Sequence, residues 1–264
     1  MTSDFPASVD GVLGSVADAT VPASDDGLLR GDGAFEVIRL YAGAPFALAD
    51  HLDRLAGSAA AIELPWDRQA LSNELADVLE QMAGREAQVR IVLTRGGHRI
   101  VMAEPLPDRG RTLRLVSVTF RPSSVLDGVK SLSYAANMHC SRIARSRGAD
   151  EAVLVDPDGT VLEAPTATVF WVTQGGQLRT PTLDLGLLAS ITRERLESLL
   201  DVEQGPFPLS DLRESREAFL ASTTREVQPV ASVDGEKLSD PDGQTTQQAR
   251  DAFAQARDEE LARS

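Results

Sequence analysis

The stretch from Gly128 to Val172 constrains this chain most, because it strings a lysine, a helix and a strand pair together and ends in an unbroken apolar run. Lys130 lies in V-K-S-L-S-Y, where Val129, Leu132 and Tyr134 give it partly apolar neighbours. A lysine on such a segment must be desolvated, paired or used. Burial lowers its pKa and exposes a nucleophilic amine, which is what Schiff-base chemistry requires. Glu163 follows the turn Pro157-Asp158-Gly159 and the apolar pair Val161-Leu162, so it ends a strand that enters a core. Taken singly, a lysine or a glutamate is ordinarily a solvated surface charge.

Length and charge narrow the classes. With 264 residues the chain can form one large domain or two modest ones. A net charge of -14 argues against a nucleic-acid or anionic-membrane partner. Cys140 is the only cysteine, so no intrachain disulfide can form, and the composition fits a reducing cytoplasm. No apolar run approaches the ~18 residues of a membrane span. The three histidines include no two at ligand spacing, so no metal site is expected.

Taken in order, the chain predicts an entry strand before Val21 and a strand from Phe35 to Tyr41 after the turn at Gly31 and Gly33. Gly31-Asp32-Gly33 is no dinucleotide fingerprint, since a strand rather than a helix follows it. A helix opens at Asp50-His51-Leu52 and carries Arg54, and a second spans Arg68 to Met82. Gln88 to Thr94 alternates as a strand and leads into the loop Arg95 to Arg99, where His98 and Arg99 are cations at a tip. Another strand runs from Thr112 to Phe120. The composition of Arg121-Pro122-Ser123-Ser124 marks a linker, which divides the chain into residues 1–120, a connection at 121–127, and residues 128–264. Beyond it, Asn137 is placed as the cap of a helix from Met138 to Arg147. Strands flank the Asp158-Gly159 turn, and Val169 to Val172 continues to a hairpin at Gly175-Gly176. A helix from Thr192 to Leu200 follows, either offering its N-terminal donors to an anion or simply capped by Ser190. The tail from Thr245 to Arg263 reads as an amphipathic helix.

Several of these segments, in order, resemble the class IV (fold type IV) aminotransferases. That family includes D-amino-acid and branched-chain aminotransferases, (R)-amine transaminases and aminodeoxychorismate lyase. The resemblance covers about residues 28 to 240. It is carried by G-D-G-A-F-E-V-I-R-L-Y from Gly31, H-L-D-R-L from His51, Lys130, Gly148-Ala149-Asp150-Glu151, Glu163 with Thr168-Val169-Phe170, Leu188 to Arg193, and Ser222-Thr223-Thr224. Ser133 and Thr168 stand where the family most often has Asn, Pro165 where a small residue is usual, and Ser190 where it has Gly.

The resemblance implies a mixed α/β fold of two domains: a small N-terminal α/β domain and a larger C-terminal one with a β-barrel-like core. It implies pyridoxal 5'-phosphate as cofactor, an amino donor and a 2-oxo acid as substrates, and a homodimer. Lys130 and Glu163 become the catalytic pair, the glutamate facing the pyridine nitrogen. Arg54, Ile191, Thr192, Thr223 and Thr224 become phosphate ligands, with Leu188 on the cofactor ring and Tyr134 on its phenolate oxygen. Phe35, Val37, His98 and Arg99 are the expected substrate contacts. Phe35-Glu36-Val37 and Ser222-Thr223-Thr224 lean toward a transaminase of the D-amino-acid or (R)-amine kind. Aminodeoxychorismate lyase, which releases pyruvate and 4-aminobenzoate, is the alternative, and a non-catalytic binding protein of the same fold is the reading from a different class.

Overall fold

The computed structural model describes residues 4–108 and 110–263. It divides into two compact units, one formed by Met1–Pro107, Gly128–Tyr134 and Glu259–Ser264, the other by Asp108–Asp127 and Ala135–Asp258. Lys130 thus belongs to the first unit, with the strands that precede the expected connection at 121–127.

The first unit contains β1 (Pro6–Val9), β2 (Val12–Ser15), α1 (Asp26–Arg30), β3 (Gly33–Tyr41), β4 (Ala44–Pro45), α2 (Leu48–Ala61), α3 (Arg68–Glu80), β5 (Ala87–Thr94) and β6 (Arg99–Glu104). Its six strands form one sheet in the order β2-β1-β6-β5-β3-β4. The single entry strand expected before Val21 is instead a two-strand hairpin. Asp10 and Gly11 both take positive φ, 52° and 86°, the geometry an Asp-Gly turn supplies between twisted strands. That signal was present in the sequence.

Alternation sorts the residues of β3 and β5 to two faces. Ala34, Ile38, Leu40, Val89, Ile91 and Leu93 are buried and join Leu52, Leu55, Leu71, Leu75 and Val78 from α2 and α3 in one core. Phe35, Val37, Arg90 and Val92 occupy the opposite face, with Phe35 paired to Val92 and Val37 to Arg90. Asp67 caps α3, its Oδ1 accepting from the N–H groups of Gln69 and Ala70 at 2.9 and 3.0 Å.

The second unit holds β7 (Leu113–Thr119), α4 (Ala135–Ser146), β8 (Glu151–Val155), β9 (Thr168–Val172), β10 (Leu178–Pro181), α5 (Ile191–Leu199), β11 (Val202–Gly205), α6 (Leu209–Arg213), β12 (Glu217–Ser222), β13 (Glu226–Val233), β14 (Glu236–Lys237) and α7 (Gln244–Leu261). Its sheet runs β11-β10-β9-β12-β13-β7-β8, with β14 on β13, and is curled as a half-barrel. Two expectations change here. Asn137 lies inside α4 rather than at its cap, and its Nδ2 donates to the Pro165 carbonyl at 3.3 Å. The strand after the Asp158-Gly159 turn shrinks to an isolated bridge between Val155 and Val161. Among the described residues no helix is long and apolar enough to cross a membrane, and no group of three His, Cys, Asp or Glu side chains could hold a metal ion.

Candidate active site

In the first unit the segment at Lys130 runs beside the start of β3. Phe35 N–H donates to the Lys130 carbonyl at 3.0 Å, Leu132 N–H to the Gly33 carbonyl at 2.9 Å, and Ala34 bridges to Ser131. Lys130 N–H donates to Ser58 Oγ of α2 at 3.1 Å. These bonds make the lysine backbone an extra short strand, so its side chain starts from a fixed point. The ammonium nitrogen stands 4.5 Å from the centre of the Phe35 ring, and Tyr134 meets the same ring edge-on at 5.3 Å. A cation over an aromatic face is favourable by about 0.5–1 kcal/mol at exposed sites. The structure therefore brings Lys130, Tyr134 and Phe35 together, with Val37 two residues along the same strand face.

Arg90 shares that ring, its guanidinium carbon 5.8 Å from the Phe35 centre. The sequence reading passed over it as an ordinary strand residue. The signal that finds it is the β3–β5 register, which sets Arg90 opposite Val37. Its fork is paired with Glu104, Nε to Oε1 at 2.9 Å and Nη2 to Oε2 at 3.0 Å.

His98 and Arg99 lie elsewhere. His98 Nδ1 is 2.6 Å from Asp10 Oδ2, and Arg99 Nε donates to Glu74 Oε1 of α3 at 2.9 Å. Arg99 pairs with Leu93, so alternation puts it on the face covered by the helices, the one opposite Phe35.

On that helix-covered face sits a buried cluster of charge. Glu36 is fully buried, and Arg54 donates to it twice, Nε to Oε1 at 2.7 Å and Nη2 to Oε2 at 2.8 Å. His51 Nδ1 lies 2.8 Å from Glu36 Oε2. Burial alone would push the Glu36 carboxyl up, but the hydrogen bonds and charges of Arg54 and His51 outweigh it and bring the group down to about 2. Burial lowers the His51 pKa, and Glu36 only partly opposes this. His51 Nε2 is buried with no partner among the described residues. Sequence reasoning named Arg54 and missed Glu36 and His51, although both stand in the motifs that it quoted.

In the second unit Glu163 is half-buried, its carbonyl accepting from Leu154 N–H at 2.7 Å. Thr168 is buried at the start of β9, opposite Ala221. Ser190 caps α5, its Oγ accepting from Arg193 N–H at 3.3 Å. Ile191 and Thr192 are the first two helical residues, whose N–H groups have no intrahelical acceptor. Both side chains are buried, and Leu188 is half-buried just before them. Thr223 and Thr224 form the turn between β12 and β13, closed by Arg225 N–H donating to the Ser222 carbonyl at 3.1 Å. The second unit thus joins an open helix terminus with a hydroxyl-bearing turn, and both suit an anion.

The chain is similar to known proteins over most of its length. The family described as amino-transferase class IV matches residues 33–233. A Methanocaldococcus jannaschii protein named as a branched-chain-amino-acid aminotransferase is 33% identical, covering 91% of this chain and 92% of its own. The D-alanine aminotransferase of Listeria monocytogenes is 31% identical, covering 84% and 86%. Among solved structures, a fold IV transaminase from Curtobacterium pusillum superposes with a TM-score of 0.80 at 30% identity, covering 92% of each chain. More distant relatives carry the name aminodeoxychorismate lyase. The chain belongs to the class IV aminotransferases, the pyridoxal-phosphate-dependent transaminase family of fold type IV.

Proposed function

We propose that this protein is a transaminase of the D-amino-acid type, moving an amino group between an amino acid or (R)-amine and a 2-oxo acid. The observation that carries the reading is the gathering of Lys130, Tyr134 and Arg90 around the single ring of Phe35. It sets an amine, a phenol and a carboxylate-binding fork on one strand face. The lean toward D-amino acids rests on Phe35-Glu36-Val37 and on Ser222-Thr223-Thr224.

The residues fit pyridoxal phosphate by the chemistry of their donors. Arg54 is held in place by two N–H donations to Glu36, and a planar, permanently charged guanidinium matches phosphate oxygens. Ile191 and Thr192 offer helix-terminal N–H groups, and Thr223 and Thr224 add hydroxyls. When bound, the cofactor supplies an aldehyde that condenses with amines and a protonated ring that accepts electrons from the substrate's α-carbon. In this reading Glu163 holds the proton on the ring nitrogen, Tyr134 donates to the phenolate oxygen, and Leu188 packs on the ring. The Lys130 amine would hold the cofactor and, when free and neutral, would be the base for the proton on the substrate's α-carbon. Arg90, aimed by Glu104 through Nε and Nη2, would meet the substrate carboxylate with its other guanidinium edge, beside Phe35 and Val37.

Following the cofactor absorbance with D-alanine, L-leucine, (R)-phenylethylamine and aminodeoxychorismate in turn tests the substrate. Fastest amino transfer from D-alanine is expected. A preference for L-leucine moves the enzyme to the branched-chain type, and pyruvate release from aminodeoxychorismate to the lyase. A protein that takes up no cofactor is instead a binding module.

We also infer a homodimer in the cytoplasm. Its interface is drawn on the first unit, where α1 buries no residue and leaves Leu28 and Leu29 63% and 61% exposed, and where Val12 of β2 is 75% exposed. Replacing Leu28 and Leu29 with Asp should give a monomer in sedimentation, and an unchanged mass would remove α1 from the interface.

A further inference from the structure

Arg225 directly follows the Thr223–Thr224 pair, yet its side chain is only 6% exposed. Its Nη2 donates to Glu151 Oε2 at 2.9 Å and its Nη1 to Gln228 Oε1 at 2.7 Å. Glu151, the first residue of β8, is itself 5% exposed, and its other oxygen accepts from Ser141 Oγ of α4 at 2.7 Å. Gln228, on β13, passes its own Nε2 to the Gly110 carbonyl at 2.6 Å. The next residue of the turn, Glu226, holds a left-handed φ of 54°, and its carboxylate accepts from Arg257 Nη1 of α7 at 3.1 Å. Two arginines therefore tie one short turn to β8, β13, α4 and α7.

Stability alone gives little reason for this wiring. A buried ion pair seldom outperforms apolar residues of the same size, because desolvating both charges offsets their attraction. Arg225 Nε is, besides, buried with no partner among the described residues, which adds to the cost. A left-handed φ at a glutamate persists only where its surroundings over-determine it. A turn that must present hydroxyl and N–H donors to an anion in one geometry does need such fixing, since preorganised donors bind without reorganising.

We propose that the Glu151–Arg225 pair is the positioning element of the phosphate cradle, locking the Ser222–Arg225 turn so that Thr223 and Thr224 face the cofactor phosphate together. This rests on reading those two threonines as phosphate ligands. Because the Arg225 side chain is buried and both its terminal nitrogens are engaged by Glu151 and Gln228, the arginine acts through the turn and not as a phosphate ligand.

Titrating the cofactor-free protein with pyridoxal phosphate, and separately with pyridoxal, which lacks the phosphate, isolates this contribution. The paired variant Glu151→Gln with Arg225→Met removes both charges at once, leaves no buried charge unpaired, and so protects the fold. It is expected to bind pyridoxal phosphate about tenfold more weakly, the size of one or two lost hydrogen bonds, with pyridoxal binding unmoved. Equal weakening toward both compounds, or no change toward either, overturns the proposal. The control is Thr223→Val with Thr224→Val. If it loses phosphate preference while the Glu151/Arg225 variant keeps it, the positioning role falls and the phosphate reading stands. If the threonine variant keeps its preference, the phosphate reading itself falls.

Discussion

In the first unit the anion-binding roles fall to two arginines, Arg54 and Arg90, each held by a carboxylate. In the second the anion-binding roles fall to backbone N–H groups and hydroxyls at a helix start and a turn. Arg54 leans on Glu36 and Arg90 on Glu104, each by two hydrogen bonds to one carboxylate. The helix terminus at Ile191 and the Thr223–Thr224 turn carry no formal charge of their own. The difference teaches how the two kinds of donor fail. A paired arginine loses its aim when its carboxylate is removed. A backbone cradle cannot be deleted by one substitution and loses only the part that a cap or a hydroxyl contributes. The first unit should therefore show large single-residue effects and the second small ones.

The largest effect belongs to Lys130. Replacing it with Ala removes the amine placed on the Phe35 ring, and transamination should fall by at least about 10³-fold, within the range that acid-base groups supply. The absorbance of covalently held cofactor should vanish with it. Retention of that band would assign the anchoring amine to another residue and dissolve the contrast at its source.

Glu36→Gln comes next, in stability as well as activity. The carboxyl titrates near 2 in the folded protein against an ordinary 4.5, so its contribution, about 3 kcal/mol, is fully present above pH 4.5. It is lost as the pH falls from there through 2, because the unfolded chain takes up the proton first. Acid unfolding followed by circular dichroism should show the wild type losing stability steeply over that window, and the Gln variant starting lower with a flatter decline. Parallel acid curves would place the stabilising charge elsewhere.

Third is Arg90→Ala, expected to raise KM for an amino acid by about 30-fold through loss of a charge-assisted fork, with a smaller effect on kcat. The KM for (R)-phenylethylamine, which has no carboxylate, should not move. A common rise for both substrates would mean that Arg90 only props up Phe35.

How much of this the sequence disclosed depends on whether a residue's role is local. Lys130, Glu163, Arg54 and the Thr223–Thr224 pair could be proposed from the sequence because each sits in a short motif, and α3, β5 and α7 were legible because hydrophobic period and element ends agree. Arg90 was not legible, since its meeting with Phe35 depends on pairing between strands more than fifty residues apart. His98 and Arg99 looked suitable as cations on a loop, but Asp10 and Glu74, from distant segments, are what they bind. Asn137 resembled a cap because it precedes an apolar stretch. The helix begins earlier because Ala135 and Ala136 are good helix formers that the polar asparagine does not interrupt.

The smallest effect tests the second unit's side of the contrast. Ser190 stands where the family has Gly, with φ -79° and ψ 126°, an extended conformation open to any residue, and its hydroxyl satisfies one N–H of the α5 start. Ser190→Ala should cost about 1 kcal/mol of stability by leaving the Arg193 N–H without that acceptor. Ser190→Gly should cost only a few tenths of a kcal/mol, since a bare backbone lets water take the hydroxyl's place. The N–H groups of Ile191 and Thr192 point outward from the helix in all three proteins, so the affinity for pyridoxal phosphate should be the same in each once differences in folding are allowed for. Thermal melts with and without cofactor make the measurement. If the melting point drops with Ala but the cofactor-induced rise stays equal, the cradle is built from backbone, as the absence of formal charge at the helix start and the turn requires. If the rise shrinks with Ala, the serine hydroxyl is itself a phosphate ligand, and the second unit depends on single side chains after all.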